Sequence, residues 1–321
     1  MIRIAMILVA LVAASPSLAQ SDSYPDKPVR IVVPFPAGSA TDIVSRLMAQ
    51  KFSLKLGQQF IVENRPGASG NLGADVVAKS PPDGYTIGLI TASTHGVTPA
   101  LGTKLPYDSI KDFKPVSMIG AASYVLVLYP GIAAKSIAEL VALAKTKPGQ
   151  LNYGSAGLAS LAHLAAALFA SDMGIELTHV PYKSSAQSAI DIMTGRLDMQ
   201  FATVGPTLES IRDGKLRALA TTGAKRVSSL PEVPTMMEAG VKDYDVTLWI
   251  AYVTPAGVPD AIIAKLNGAM GEILKEPDIV DSLQKQGFEP EPSTPEAVTE
   301  RIRSETAKWR ALVAKTGIKV E

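Results

Sequence analysis

The residue types best suited to chemistry occur in two loops of small side chains, each between a predicted strand and a predicted helix. One loop reads Pro-Ala-Gly-Ser-Ala at 36–40, and the other reads Tyr-Gly-Ser-Ala-Gly-Leu-Ala-Ser at 153–160. Such a junction leaves the first N–H groups of the helix without intrahelical partners, and these groups can hold an anion such as a carboxylate. Glycine-rich turns also join strands to helices for purely structural reasons. Each loop alone therefore fits either role, whereas two loops facing each other would form a carboxylate clamp.

Neither loop matches a known enzyme motif. The stretch at 153–157 resembles a nucleophile elbow, but that motif requires glycine where this chain has Tyr153. The glycines at 67, 70 and 73 match neither the dinucleotide fingerprint nor the P-loop. The three histidines, His95, His163 and His179, have no partners at metal-ligand spacing. We therefore predict no catalytic residue, metal site or cofactor; His95 fits a cleft or a plain loop, and the other two histidines fit a structural role.

The first 19 residues are typical of a secretory signal peptide. They combine one basic residue, Arg3, with an apolar run and a Ser-Leu-Ala cleavage signal, and the run is too short for a membrane anchor, which takes roughly 20 residues. We predict cleavage after Ala19 and export to the periplasm. Without Arg3 the basic and acidic residues number 30 each, and this neutrality argues against nucleic-acid binding. The absence of cysteine excludes disulfides and a lipid anchor on cysteine.

Short β-rich runs alternate with amphipathic segments, which predicts an α/β fold with parallel strands and crossover helices. Two longer apolar runs, at 116–129 and 246–254, bracket one α/β unit, and only helical patterns follow the second run. We therefore predict two lobes that are joined by two crossover strands and have a cleft between them. The first lobe is expected to comprise residues 20–121 and 249–321, and the second lobe residues 122–248.

Several short motifs are spread over essentially the whole mature chain. They include Val-Pro-Phe-Pro-Ala-Gly at 33–38, Val-Glu-Asn-Arg-Pro-Gly-Ala at 62–68, Asn-Tyr-Gly-Ser-Ala-Gly at 152–157, His-Val-Pro-Tyr-Lys at 179–183 and Leu-Pro-Glu-Val-Pro-Thr at 230–235. Each motif is weak alone, but in their number and order they resemble the periplasmic solute-binding receptors of tripartite tricarboxylate transporters, also called Bug-type receptors.

This resemblance implies a type II periplasmic-binding-protein fold that closes on a small mono-, di-, tri- or aromatic carboxylate. It further implies a monomeric receptor without cofactor or catalysis, which delivers its ligand to a two-component membrane permease. The ligand-binding residues implied by the resemblance are Phe35, Ala37, Gly38, Ser39, Asp42, Ser93, Thr94, His95, Ser155, Ala156, Gly157 and Ser160, with Tyr182, Lys183 and Thr203 as weaker candidates.

The chain departs from the usual family pattern at three positions. Ser39 stands where a second glycine is usual, Ser184 where glycine is usual, and Ala167 where glutamate is common. Ser39 leaves the identity of the ligand most open, because its hydroxyl could add a donor or narrow the pocket. An exported hydrolase, or a sensor that partners a membrane kinase, is the alternative interpretation.

Overall fold

The computed structural model describes residues 24–102, 104–158, 160–182 and 185–317. The predicted signal peptide and Lys183 lie outside the described residues. Within those ranges, no helix has both the length and the apolar composition that a bilayer crossing requires.

Strands and helices alternate in the predicted order. The strands are β1 (Val29–Val33), β2 (Phe60–Asn64), β3 (Thr86–Thr91), β4 (Phe113–Leu128), β5 (Asn152–Ser155), β6 (Thr178–Pro181), β7 (Met199–Thr203), β8 (Arg217–Thr221), β9 (Thr247–Pro255) and β10 (Glu289–Pro290). The helices are α1 (Ala40–Leu56), α2 (Asn71–Ala78), α3 (Thr98–Ala100), α4 (Ile137–Thr146), α5 (Leu161–Met173), α6 (Ser185–Met193), α7 (Val204–Arg212), α8 (Asp260–Ile273), α9 (Pro277–Lys285) and α10 (Pro295–Thr316). A 3-10 turn precedes α2 at Ala68–Gly70, and a π-helical segment precedes α3 at Ala92–Val97.

Two sheets share the long strand β4. In the first lobe the order is β2-β1-β3-β9-β4, and β10 also pairs with β4; in the second lobe β4 pairs with β8 and with β7, and the order continues through β5 to β6. The pairs β1–β2, β1–β3, β5–β6 and β5–β7 are parallel, whereas β9 runs antiparallel to both β3 and β4. This confirms the predicted α/β architecture with a parallel core in each lobe.

Strand β4 passes from one sheet to the other at its middle. Its pairing with β9 ends at Ser123, and its pairing with β7 begins at Tyr124. Shifts of register earlier in the strand allow it to bend. The small residue Gly120 has a further role, because a Cβ there would lie 2.6 Å from the carbonyl oxygen of Glu289 in β10. The exact lobe boundaries stay a prediction.

The prediction that only helices follow β9 is wrong, because β10 returns to pair with β4 at Ala121 and Gly120. A strand of two residues has no periodicity that a sequence pattern could reveal. It forms only because the tertiary structure brings it to a free edge of β4.

The apolar residues of the first lobe cover both faces of its sheet, as expected for central strands in a parallel arrangement. One face packs against α1, α8 and α9 around Phe52, Tyr252 and Phe288. The opposite face packs against α2 and α10 around Trp249 and Trp309, and this cluster continues into the second lobe. The sheet is therefore a rigid base for the loops at its carboxyl edge.

Candidate functional site

The carboxyl ends of strands from both lobes meet near the middle of β4. The last residue of β3, Thr91, pairs with Ile250 of β9, which in turn pairs with Gly120 of β4. From the other lobe, the last residue of β7, Thr203, pairs with Tyr124. Gly120 and Tyr124 are four residues apart along β4, which corresponds to about 13 Å. The loops after these strands therefore face each other across the junction of the lobes, where a cleft was predicted.

Asp42 is the centre of the first-lobe loop at 34–39. Its carboxylate is almost completely buried and accepts hydrogen bonds from Gly38 N at 2.8 Å, Arg46 Nε at 3.0 Å and Asn64 Nδ2 at 2.8 Å. Asn64 Nδ2 also donates to the carbonyl oxygen of Phe35 at 3.0 Å. Burial alone would raise the pKa of Asp42, but these hydrogen bonds together hold it below its usual value. The buried carboxylate of Asp42 therefore holds the backbone of the loop in place.

Ser39 begins α1 as its N-cap. Its Oγ accepts from Asp42 N at 3.3 Å and lies 3.1 Å from Thr41 Oγ1. A cap of this kind satisfies one of the free N–H groups at the start of the helix. The serine thus reduces the number of donors that the helix end offers to a solute, whereas Ala37 and Gly38 remain exposed on the loop.

A third loop, at 67–71, joins this site, and the sequence did not predict that it would do so. Ala68, Ser69 and Gly70 all have positive φ, at 48°, 55° and 94°. A Cβ on Gly70 would lie 2.8 Å from Thr94 Cγ2 and 3.3 Å from Phe35 Cζ, so this loop packs between the other two loops of the first lobe. The small residues at 67–70, with a glycine at each end, were the available signal, because glycine readily adopts positive φ.

The segment after β3 is the most deeply buried part of the candidate site. Thr91 and Thr94 cap each other, with Thr94 N donating to Thr91 Oγ1 and Thr91 N donating to Thr94 Oγ1. Thr94 and His95 are fully buried, and Ser93 is half-buried. The His95 ring lies between Tyr107 and Phe113, with Nδ1 3.0 Å from Thr94 Oγ1 and Nε2 buried without a partner. The side chains of Thr94 and His95 therefore support the loop from inside the lobe.

Burial lowers the pKa of His95 from its ordinary 6.5 to about 3. Below pH 6.5 His95 binds a proton in the unfolded chain but stays neutral in the folded chain. The free energy of unfolding therefore falls as the pH falls from 6.5 toward 3. We expect His95→Phe to remove this pH-dependent loss of stability, which amounts to about 2–3 kcal/mol between pH 7 and pH 4.5. Urea unfolding of both proteins at the two pH values measures the difference. An equal loss of stability in both proteins would show that His95 does not carry this dependence.

In the second lobe, Ser155 organises the loop after β5. It is fully buried, its Oγ lies 2.7 Å from His179 Nε2, and it also exchanges hydrogen bonds with the backbone of Gly157, accepting from N at 3.1 Å. Ser160 caps α5 by accepting from His163 N at 3.3 Å and donates to Gly157 O at 2.8 Å. Both serines therefore hold the turn at Gly157.

The two histidines of this lobe form a stack behind Ser155. The rings of His163 and His179 are 4.1 Å apart and nearly parallel, and Tyr153 stacks on His179 at 4.9 Å. Burial lowers the pKa of both histidines, and His179 further lowers that of His163, to about 4. This agrees with the predicted structural role of these histidines. The contact between Ser155 and His179 has the geometry of a nucleophile and a base, but the serine hydroxyl has no access to solvent and is shared with Gly157.

The remaining predicted residues differ in position. Ala156 is exposed on the loop beside Gly157, and Thr203 is half-buried at the start of α7. Tyr182 N donates to Ser155 O, but the Tyr182 hydroxyl turns away to Asp191 Oδ2 at 2.7 Å. Tyr182 therefore contacts the loop through its backbone, while its side chain bonds to α6.

The described loops of the site offer neutral donors to a solute. The loops present backbone N–H groups and helix N-termini, while the cations Arg46 and Arg65 are paired with Asp42 and Glu63. Such neutral donors favour an anion through their dipoles. Within the described part of the chain, no cluster of three or more histidine, aspartate or glutamate side chains is arranged to hold a metal ion.

Comparison with known proteins shows which family the chain resembles. Residues 44–318 match the family model described as Tripartite tricarboxylate transporter family receptor. Protein BugT of Bordetella pertussis is 36% identical over 302 residues, which cover 94% of this chain and 93% of BugT.

Solved structures resemble the chain over nearly its whole length. A protein of R. palustris solved with adipate is 34% identical with a TM-score of 0.75, covering 92% of this chain and 99% of that one. MatC from Rhodopseudomonas palustris with bound malate is 30% identical with a TM-score of 0.71, covering 90% of this chain and 100% of MatC. The predicted two-lobed type II periplasmic-binding-protein fold is thereby confirmed.

Proposed function

The chain belongs to the tripartite tricarboxylate transporter receptor family, a family of periplasmic solute-binding receptors, and from this premise we propose that it binds a small carboxylate in the cleft between its lobes. It then delivers this ligand to a two-component membrane permease. In this proposal the protein acts in the periplasm as a monomer and catalyses no reaction. Adipate and malate are present in two solved relatives, and this supports the proposal that the ligand is a small organic acid.

One observation carries the proposal. The small-residue loops follow β1 and β5, which pair with β3 and β7, the strands whose carboxyl ends lie level with the middle of β4. Each of these loops leads into a helix N-terminus capped by a serine, Ser39 or Ser160. A carboxylate between them would contact backbone donors of both lobes at once. Binding energy shared in this way favours the closed arrangement of the lobes over the open one.

Gly38→Val is expected to weaken carboxylate binding at least about tenfold, a loss of about 1.4 kcal/mol. Gly38 has φ +81° and open space around its Cα, so valine meets no clash but cannot easily keep this backbone conformation. Calorimetric titration with adipate and malate measures the affinity, and a thermal transition that persists shows that the variant folds.

Gly214→Val is the matched control, because Gly214 has φ +69° and equally open surroundings at the far end of β8. If Gly38→Val bound these acids as tightly as Gly214→Val, the loop at Gly38 would not contact the ligand. An exported hydrolase is the alternative, which the contact between Ser155 and His179 favours and the burial of the serine hydroxyl opposes. Incubation with a small ester such as p-nitrophenyl acetate tests it, and we expect no release of p-nitrophenol above the rate in buffer.

A further inference from the structure

A second pocket lies on the face of β4 opposite to α1. Ala121 and Ser123 of β4 line it, whereas Ala122 between them packs into the apolar cluster that contains Met48 of α1. Among the described residues, none that lines this pocket belongs to the predicted ligand-binding set. Its volume is about 390 Å³, which is enough for a small organic molecule. We call it the hinge pocket, because β4 changes from one sheet to the other directly after Ser123.

The loop after β8 supplies hydrogen-bond donors to the hinge pocket. The backbone N–H groups of residues 223–227 donate to no other group in the described part of the chain, and the Lys225 ammonium has no hydrogen bond or close ion pair there. Gly223 lets this loop lie directly on β4, since a Cβ there would be 2.4 Å from Ser123 Oγ. Successive free N–H groups beside an ammonium favour an anion such as a carboxylate.

The opposite wall of the hinge pocket supplies a carboxylate acceptor. Glu291 follows β10 at the rim, and its side chain makes no hydrogen bond or close ion pair with any described residue. Neighbouring protein withdraws water from this carboxylate and raises its pKa, while Arg301 and Lys225 act in the opposite direction, so both cations lie near it. Glu289 in β10 already accepts hydrogen bonds from the N–H and the hydroxyl of Ser228. Glu291 is therefore the acceptor that remains available to a cation.

Two buried polar atoms of the lining residues have no partner. Arg301 Nη1 donates to Asp245 Oδ2 at 3.1 Å, but Arg301 Nε and Asp245 Oδ1 are buried without a hydrogen bond in the described ranges. Buried polar atoms of this kind are uncommon, and each calls for a group that completes it. The charges that line the pocket are balanced, with three cations and three anions: Lys225, Arg226, Arg301, Asp245, Glu289 and Glu291. This balance favours a ligand with one charge of each sign.

We propose that the hinge pocket is a second binding site, which takes a small zwitterion with an ammonium and a carboxylate group, such as an amino acid. The carboxylate of this ligand binds Lys225 and the N–H groups of residues 223–227, and the ammonium binds Glu291. The site is separate from the cleft in which the carboxylate of the proposed function binds, so both ligands bind at the same time.

Calorimetric titration of the mature chain with glycine, 4-aminobutyrate and 6-aminohexanoate tests the class of ligand. These three zwitterions differ in the separation of their charges, and butylamine is the control that lacks the carboxylate. We expect at least one zwitterion to bind about tenfold or more tightly than butylamine. The inference is overturned if none of the three binds, or if butylamine binds as tightly as the best of them.

Lys225→Gln and Glu291→Gln test the two contacts, with Lys145→Gln and Glu176→Gln as the matched controls. Both control residues are exposed, do not line the pocket and have no close ion pair within the described part of the chain. Each pocket variant should weaken binding of the zwitterion about three- to tenfold, and the controls should leave it unchanged. Unchanged affinity in both pocket variants would overturn the inference.

Gly38→Val distinguishes the hinge pocket from the cleft. Because Gly38 does not line the hinge pocket, this change should leave the affinity for the zwitterion unchanged. Loss of zwitterion binding in Gly38→Val but not in Glu291→Gln would show that the zwitterion occupies the cleft, and the inference would fail. Binding of a zwitterion at Glu291 without any binding of adipate or malate would support this inference and count against the proposed function.

Discussion

Asp42→Ala is expected to lower the free energy of unfolding by about 2–4 kcal/mol and to weaken ligand binding by at least about tenfold. The change leaves the N–H of Gly38, the guanidinium of Arg46 and the amide of Asn64 without the acceptor that now joins them. Since these three groups hold the loop at 34–39, its backbone donors would no longer point in one direction. Urea unfolding and calorimetric titration with adipate measure the two effects.

Asp281→Ala serves as the control for removing a carboxylate from a helix. Asp281 pairs with Lys285 one turn away, and both side chains are well exposed, so its loss should cost about 0.5 kcal/mol or less. The contribution of Asp42 also has a defined pH dependence. Its pKa is lowered on folding, so its stabilising effect is complete above pH 3.8 and is lost only as the pH falls through the lowered value. If Asp42→Ala were no less stable than Asp281→Ala at neutral pH, the loop would not depend on this carboxylate.

Gly73→Ala is expected to destabilise the protein by about 1–3 kcal/mol, although alanine is the better helix former. Gly73 lies in α2, and a Cβ there would be 2.7 Å from Pro34 Cβ, 2.8 Å from Pro34 Cα and 3.0 Å from the carbonyl oxygen of Arg65. Two of these atoms belong to the backbone, which cannot rotate away. The helix must therefore move off β1, and this would displace the loop at 67–71 from the site.

Gly268→Ala is the matched control, because Gly268 is also helical, in α8, and a Cβ there would meet nothing within 4 Å. This change should raise stability by up to about 1 kcal/mol. Chemical denaturation measures the free energy of unfolding of both variants. If close packing at Pro34 decides the outcome, Gly73→Ala lowers this free energy and Gly268→Ala raises it. A stabilising effect at both positions would mean that α2 has room to adjust.

Local patterns predicted most of the secondary structure. The start of α1 after Ser39 and its end at Gly57, which has φ 74°, follow from a capping residue and from a glycine that tolerates this conformation. The long strand β4 was expected from one apolar run, although it begins three residues earlier, at Phe113. The π-helical segment at Ala92–Val97 was missed, because the bonds that hold it involve contacts with Tyr107 and α10, distant in sequence.

The structure shows contacts of several candidate site residues that the sequence did not indicate. Gly38 and Gly157 form exposed or half-buried turns in the expected loops, but Asp42, Thr94 and Ser155 have their polar atoms engaged inside the protein. Which of the predicted residues contact the ligand stays a prediction. A residue type shows that a hydrogen bond can form, whereas the direction of that bond depends on neighbours that the sequence does not place.

The two-lobed α/β architecture and the small-residue loops before α1 and α5 could be read from the sequence alone. These features depend on apolar periodicity, glycine and capping residues, which act over a few neighbouring positions. The family was indicated separately, by the number and order of the motifs that resemble it. The packing of the loop at 67–71 against the site and the stacking of His163 on His179 behind Ser155 became visible only in the folded structure. Each of these depends on strand pairing between distant segments, because that pairing sets which loops and side chains come together.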